Sequence, residues 1–342
     1  VEVSVLVRAW SLSLLVACAP PADEAPDPSP ATSGPTDEGS PTIVDSGPTA
    51  DTGLSEPSTD PGTEPPAEWA DPDVATFVPP DYQPDEVRRV VFFGDSITAG
   101  EGVFHPRGHY ASLLVDNDDA NWPDHADHDL VARWPDVEVI DVSRSGATTV
   151  DVLQRQIPEL EALLEPELPG TTLVVGTVGG NDIGTLLLNI GDVDAEVERI
   201  SGNVAEIASW FQASDRFAEQ PFVYVTNIYE PTDDMGQADE CFYGLPVSFL
   251  RDPLTDLNQA TRDAAMRDGW AWIDLYGHFQ GHGLNHDDPT GPNHDAADPT
   301  LWLSTDCVHP NARGHHEIRR LFYYAIAAEP LPVDDLRRGT GM

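Results

Sequence analysis

VRRVVFFGDSITAG, residues 87–100, is an apolar run that halts at a Gly-Asp-Ser turn and closes on a second glycine four residues after the serine. A short run of β-branched and aromatic residues bounded by turn residues reads as a strand. Ser96 then stands just beyond the strand's carboxyl end, clear of the sheet and with nothing to pack against. Comparable runs recur at VEVIDVS (137–143), TTLVVGTVGG (171–180), PFVYVTNIY (221–229) and WAWIDLY (270–276). Between them, residues 148–164, 193–213 and 250–267 carry apolar residues at three- and four-residue spacing, as amphipathic helices do. A last helical stretch follows Pro310, from Ala312 to Ala328. Strands alternating with helices predict an α/β fold, a mostly parallel five-stranded sheet covered on both faces. In such sheets the working groups sit at the carboxyl ends of the strands, which is where Ser96 falls.

The first quarter of the 342-residue chain has another composition. VEVSVLVRAWSLSLLVACAP sets Arg8 before a short apolar stretch, too short to span a bilayer and suited to a secretory leader over 1–17. Leu15-Val16-Ala17-Cys18 resembles a bacterial lipoprotein signal, which would make Cys18 a lipidated residue holding the protein to a membrane, the outer one or the cell surface. The alternative is an ordinary leader with an incidental cysteine. Residues 18–86 are rich in Pro, Thr, Ser, Asp and Glu with almost no apolar periodicity, and read as a disordered tether. A coil of that length extends about 45 Å on average. The folded domain is assigned to 87–330 and a tail to 331–342. All 17 basic residues are arginine against 60 acidic ones, a net charge of −43. That field repels phosphate backbones, so nucleic acid is a poor partner. With Cys18 consumed, Cys241 and Cys307 remain as an even pair. An exported chain permits them to join as a disulfide worth about 4 kcal/mol on chain entropy; the alternative is two free buried thiols.

Three further polar turns accompany Gly-Asp-Ser. The second strand ends in SRSGATT, with Gly146 before a helix, and the third in VGGNDIG, with Asn181 before another. TDCVHPNARGHHEI places Asp306 three residues before His309, with Pro310 next. Taken in order as GDSIT, SGAT, GGND and DCVHP, these blocks resemble the GDSL or SGNH hydrolase superfamily of serine esterases and lipases. The resemblance covers residues 88–328, with Ile97 in place of the leucine of the first block. It implies a flavodoxin-like three-layer sandwich and carboxylic-ester hydrolysis through an acyl-enzyme, with no cofactor. It makes Ser96 the nucleophile, His309 its base and Asp306 the group that orients the imidazole. The implied oxyanion hole is the backbone N–H of Ser96, the backbone N–H of Gly146 and the side-chain amide of Asn181.

The chemistry needs these residue types. A serine hydroxyl is a poor nucleophile until an imidazole takes its proton, and a carboxylate fixes the imidazole tautomer. The developing oxyanion needs donors already in place. The competing reading of Ser96 is a helix cap. Two stretches, 116–129 and 285–295, tempt a metal reading, but neither fits a calcium-loop frame, and solvated acidic loops are expected there without metal. Asp182 is given no chemistry beyond local hydrogen bonds. Leu186 to Leu188 either line an acyl pocket or pack on the sheet. Loops 232–248 and 278–305 are polar, and their few apolar side chains (Phe242, Tyr243, Leu245, Trp302) are expected to wall a small pocket suited to short acyl esters. The expectation is a monomeric, membrane-tethered esterase outside the cytoplasm. Its rivals are a metal-assisted hydrolase using the His/Asp loops and a non-catalytic binding module on the same scaffold.

Overall fold

The computed structural model describes residues 76–183, 192–237, 241 and 247–331. The leader, Cys18, most of the tether, Leu186 to Leu188, Phe242, Tyr243, Leu245 and the tail beyond 331 lie outside the described residues.

The five strands are β1 (Arg89–Gly94), β2 (Glu138–Asp141), β3 (Thr172–Thr177), β4 (Phe222–Thr226) and β5 (Ala271–Ile273). They pair in the order β2-β1-β3-β4-β5, and every pairing is parallel. The chain thus steps from β1 to one side and then crosses back to the other, leaving a crevice at the carboxyl ends of β1 and β3. Side-chain alternation along β1 builds two cores. Val90 and Phe92 face a layer containing Tyr110, Ile318 and Phe322. Val91 and Phe93 face Val152, Leu160, Ile207 and Phe211. The second face is covered by helices Val193–Ala213 and Arg251–Asp268, and by the continuous helical stretch from Thr149 to Leu163. The middle of that stretch, Val152–Gln156, is wound as a π-helix. The periodicity gave no sign of it.

Two sequence expectations need correction. The tether was carried to residue 86, yet residues 76–86 belong to the folded domain. Phe77 exchanges two backbone hydrogen bonds with Trp272 at 2.8 Å, covering the outer edge of β5. Tyr82 is buried, packs on Phe222 and Tyr224, and its hydroxyl accepts from Val223 N at 2.6 Å. A few apolar anchors hide inside an acidic, proline-rich stretch. The second correction concerns 116–129, expected to be a solvated acidic loop: Asp116, Asp119, Asp124 and Asp127 are exposed as expected, but the segment also has a buried side. His125, Asn117 and Asp129 are buried, and Trp122 stacks on His316 with ring centroids 3.9 Å apart. The segment is a cover for the helix Ala312–Ala327.

That helix is consequently enclosed on every side, with His315, His316, Glu317, Arg319 and Arg320 all at 0–1% exposure. Its charges survive burial because they are paired. Glu317 accepts from His278 Nε2 at 3.1 Å and Arg320 at 3.2 Å, and forms an ion pair with Arg313 at 3.0 Å. Burial alone would raise its pKa, but these partners outweigh burial and hold the carboxyl below the usual range.

Candidate active site

The Ser96 turn begins with a backbone that only glycine tolerates. Gly94 has φ +115°, and a Cβ there would sit 1.9 Å from Thr177 O. Its N–H and C=O are both held by the side chain of Gln156, at 2.8 Å each, in a reciprocal amide pair. Gln156 comes from the last residue of the π-helical segment and is fully buried. Asp95 then binds its backbone N to Thr177 O at 3.0 Å and caps the short helix Ser96–Ala99, accepting from Ile97 N at 3.1 Å. Asp95 is therefore the cap. Ser96 is the first helical residue, with its hydroxyl free of that task. First-turn N–H groups have no partner within a helix, so the Ser96 N–H is open to a substrate oxygen.

The Ser96 hydroxyl lies 2.8 Å from His309 Nε2. His309 Nδ1 lies 2.7 Å from Asp306 Oδ2. Since a carboxylate can only accept, Nδ1 carries the proton and Nε2 is left to accept from serine. Asp306 Oδ1 is itself held by the backbone N–H groups of Val308 (3.0 Å) and His309 (2.9 Å) and by the Ser304 hydroxyl (2.8 Å). Burial pushes Asp306 up, but the His309 hydrogen bonds and charge outweigh it and leave the carboxyl well below its usual range. Burial likewise lowers His309. The hydrogen bond and charge of Asp306, then the charges of Asp95 and Glu101, more than compensate and raise it.

These residues ride on a loop closed by an antiparallel bridge between Leu303 and Pro310, just ahead of Asn311, which caps the Ala312–Ala327 helix. Three ties fix the loop. Tyr229 donates its hydroxyl to Val308 O. Gly102, at φ +93°, approaches so closely that a Cβ would lie 2.1 Å from Pro310 O. Cys307 forms a disulfide with Cys241, with Cα atoms 6.1 Å apart.

Gly146 sits at the turn after β2 with φ +77°. Asn181 follows β3 and donates one amide hydrogen to Ala147 O at 3.0 Å, which orients the group and leaves its second hydrogen unspent. Asp182, expected to make at most local bonds, reaches further: it accepts from Thr149 N and Oγ1 at 2.8 Å each, 33 residues away, and pairs with Arg199. Trp302 does not wall a pocket. It is buried in the core and stacks on His282 with centroids 3.5 Å apart. Among the described residues no three His, Cys, Asp or Glu side chains are grouped to hold a metal ion. The structure also adds Gln156, Asp95, Thr98, Tyr110 and Thr177 to the residues that set this site. Gly-Asp-Ser hinted at Asp95 alone.

A serine, an imidazole and a carboxylate linked in this order form a constellation that recurs among hydrolases of unrelated folds. The chain belongs to the GDSL-like Lipase/Acylhydrolase family, whose match runs over residues 92–317 and contains all four polar turns. It is a carboxylic ester hydrolase. It is 29% identical over 253 residues to Lipase 2 of Streptomyces coelicolor, covering 67% of this chain and 82% of that protein. Similar solved structures include LAE5, an α/β hydrolase enzyme from the metagenome of Lake Arreo, Spain, at 21% identity and TM-score 0.47, covering 73% of this chain and 99% of that one. Another is Axe2, an acetylxylan esterase from Geobacillus stearothermophilus, at 17% identity and TM-score 0.45, covering 71% and 96%.

The disulfide gives one expectation. Because Cys307 adjoins Asp306, reduction should destabilise the domain by about 4 kcal/mol on the chain-entropy scale for the 66 residues separating the cysteines. Urea denaturation with and without reductant measures the loss. Alkylation of unreduced protein should leave Cys241 and Cys307 unlabelled, and two labelled thiols would remove the bridge from the account.

Proposed function

We propose that the protein is an extracytoplasmic serine esterase that acts through an acyl-enzyme on Ser96, with short acyl esters on polar leaving groups as substrates. The observation that carries this reading is the continuous hydrogen-bonded path Ser96–His309–Asp306. In the first half-reaction Ser96 Oγ attacks the ester carbonyl carbon while its proton passes to His309 Nε2. The imidazolium that forms is stabilised by Asp306 through Nδ1–H. The carbonyl oxygen becomes an oxyanion facing the N–H groups of Ser96 and Gly146 and the spare amide hydrogen of Asn181, each donor being worth about 3–4 kcal/mol in such sites. Collapse re-forms the carbonyl and breaks the ester C–O bond, and the departing alcohol takes the proton from Nε2. Water then repeats the sequence on the acyl-serine and regenerates the free hydroxyl.

The location rests on the leader-like 1–17, on Cys18 and on a disulfide that an oxidising compartment favours. No helix among the described residues is long and apolar enough to cross a membrane. Short acyl preference rests on loops of polar make-up. In 278–305 the backbone is organised by the Asp233 carboxylate, which accepts from the N–H groups of Gly281, Gly283 and Asn285. With Trp302 committed to the core, the apolar wall available to a long chain is smaller still.

Ser96→Ala should leave folding intact and lower kcat on the order of a millionfold. Loss of fluorophosphonate labelling in the same variant separates this reading from a binding module; turnover in the purified variant would sink it. Deprotonated His309 is the reactive form and its pKa is raised, so kcat/KM should climb through an acidic limb centred above the ordinary histidine value of 6.5. A flat profile from pH 5 to 9 excludes a histidine base. On p-nitrophenyl esters from acetate to decanoate, kcat/KM should peak at acetate to butyrate. A steady rise of about fourfold per methylene would instead reveal a long apolar cleft. Cys18→Ser should release the protein from the membrane fraction, and a variant that still pellets in high salt is anchored by other means.

A further inference from the structure

Ser96 Oγ is bonded on one side to His309, but the residue before it heads a second path that the ester-hydrolysis mechanism above does not use. Asp95 Oδ1 lies 2.7 Å from Thr177 Oγ1. Thr177 Oγ1 lies 2.9 Å from Thr98 Oγ1, and Thr98 Oγ1 lies 2.7 Å from the Tyr110 hydroxyl. Thr98 Oγ1 also accepts the Thr177 N–H at 3.2 Å. All four residues are at 0–3% exposure, so no solvent can supply a missing partner.

Counting protons gives this path a direction. Each hydroxyl owns one hydrogen. With Asp95 Oδ1 as acceptor, Thr177 donates to it, Thr98 donates to Thr177, and Tyr110 donates to Thr98. Every hydrogen is then placed, and Thr98 receives the two it can accept. In the reverse sense Asp95 would need a proton on Oδ1, and the last hydrogen in the row, on Tyr110, would have nowhere to go in a site closed to water. A buried donor without an acceptor is the costly outcome.

We propose that Thr177, Thr98 and Tyr110 form a one-way hydroxyl relay that keeps Asp95 an ionised acceptor, making Asp95 a second carboxylate in support of the His309 imidazolium. This rests on the serine-esterase reading above. Asp95, Thr177, Thr98 and Tyr110 are positioning residues, since none touches the reacting atoms. The relay reaches from the Ser96 turn through β3 to the helix Tyr110–Val115, whose Tyr110 N donates to His315 Nδ1 at 3.2 Å. It therefore ties the serine's turn to the helix that follows His309.

The electrostatics agree with the geometry. Burial pushes Asp95 up to about 6, against the hydrogen bonds from Thr177 and Ile97 and the charge of His309, with Asp182 adding repulsion. The phenols of Tyr110 and Tyr229 also face it and keep their protons, both being pushed well up by burial. On the other side, His309 faces Asp306, Asp95 and Glu101, with neutral His315 nearby. Burial and the hydrogen bonds from Thr177 and Ile97 thus act on the Asp95 carboxyl in opposite directions, and its donors favour the ionised form.

The test is the pH profile of kcat/KM, with kcat and KM resolved separately, for Asp95→Asn, Thr177→Val, Thr177→Ser and Tyr110→Phe, each checked by thermal unfolding. Asp95→Asn removes a charge that raises His309, so its acidic limb should move to lower pH while kcat falls about tenfold, the size of one lost charge interaction. Thr177→Val removes the donor that keeps Asp95 ionised, so its limb should move the same way, to lower pH, by up to about one pH unit. Thr177→Ser should restore the wild-type midpoint. Tyr110→Phe should shift in the same sense as Thr177→Val but by less, with KM unchanged. A Thr177→Val midpoint that stays at the wild-type value overturns the relay, whatever happens to activity or stability, and this holds even where Asp95→Asn fails to fold. Ser96→Ala run alongside separates the two proposals: turnover there strikes the esterase reading, whereas an inert Ser96→Ala with unshifted midpoints strikes the relay alone.

Discussion

The carboxyl end of β3 is the fixed point from which the site is built. Thr177 offers its carbonyl to Asp95 N and its hydroxyl to the Asp95 carboxylate, while Gly94 lies so close that no side chain fits between the strands. The turn that carries Ser96 is therefore clamped to a neighbouring strand before its hydroxyl meets any imidazole. Gln156 closes the clamp from the other face of the sheet, matching one amide to both polar groups of Gly94. The buried Gly94 N–H is met by this side chain, its carbonyl being shared with Arg144 N at 3.0 Å, and Gln156 is the last residue of the π-helical Val152–Gln156.

The layers were legible in the sequence because their signals are local. Each strand is a compact apolar run, and helices Val193–Ala213 and Arg251–Asp268 follow three- and four-residue periodicity closely. Ser96, His309 and Asp306, which hydrogen bonds join in one row, were legible for a related reason, since each sits in a short polar block. What could not be read was long-range. Gln156 meets Gly94 across 62 residues, Thr177 meets Asp95 across 82, and nothing near either residue marks it. The 116–129 segment looked solvated because its composition is acidic, and composition does not show that His125 and Trp122 find a helix to cover. Phe77 and Tyr82 were hidden in the same way, as isolated anchors in a tract that otherwise reads as linker.

Burial of charge is the second theme. Helix Ala312–Ala327 keeps Glu317, Arg319 and Arg320 out of water, with His278 and Leu113 O meeting Glu317 and Arg319 from other elements and Arg320 paired to Glu317 within the helix. Replacing such pairs by apolar residues is often neutral in other proteins, so their value here is one of specification. They dictate one seating of the helix, and so one position for the loop that precedes it. The same seating places His315 between Tyr110 N and Glu101 O, both nitrogens matched as a neutral imidazole.

The sequence distance between the reacting pair has a temporal consequence. Ser96 and His309 are 213 residues apart, and the loop bearing the histidine is set by a helix still further along the chain. A polypeptide that has extruded the whole sheet contains Ser96 but not the histidine that bonds it, so that contact can form only once the chain has been made as far as His309. That contact and the neighbouring Glu101–His315 bond, 214 residues apart, are of the long sequence separation that costs most in loop closure and slows folding.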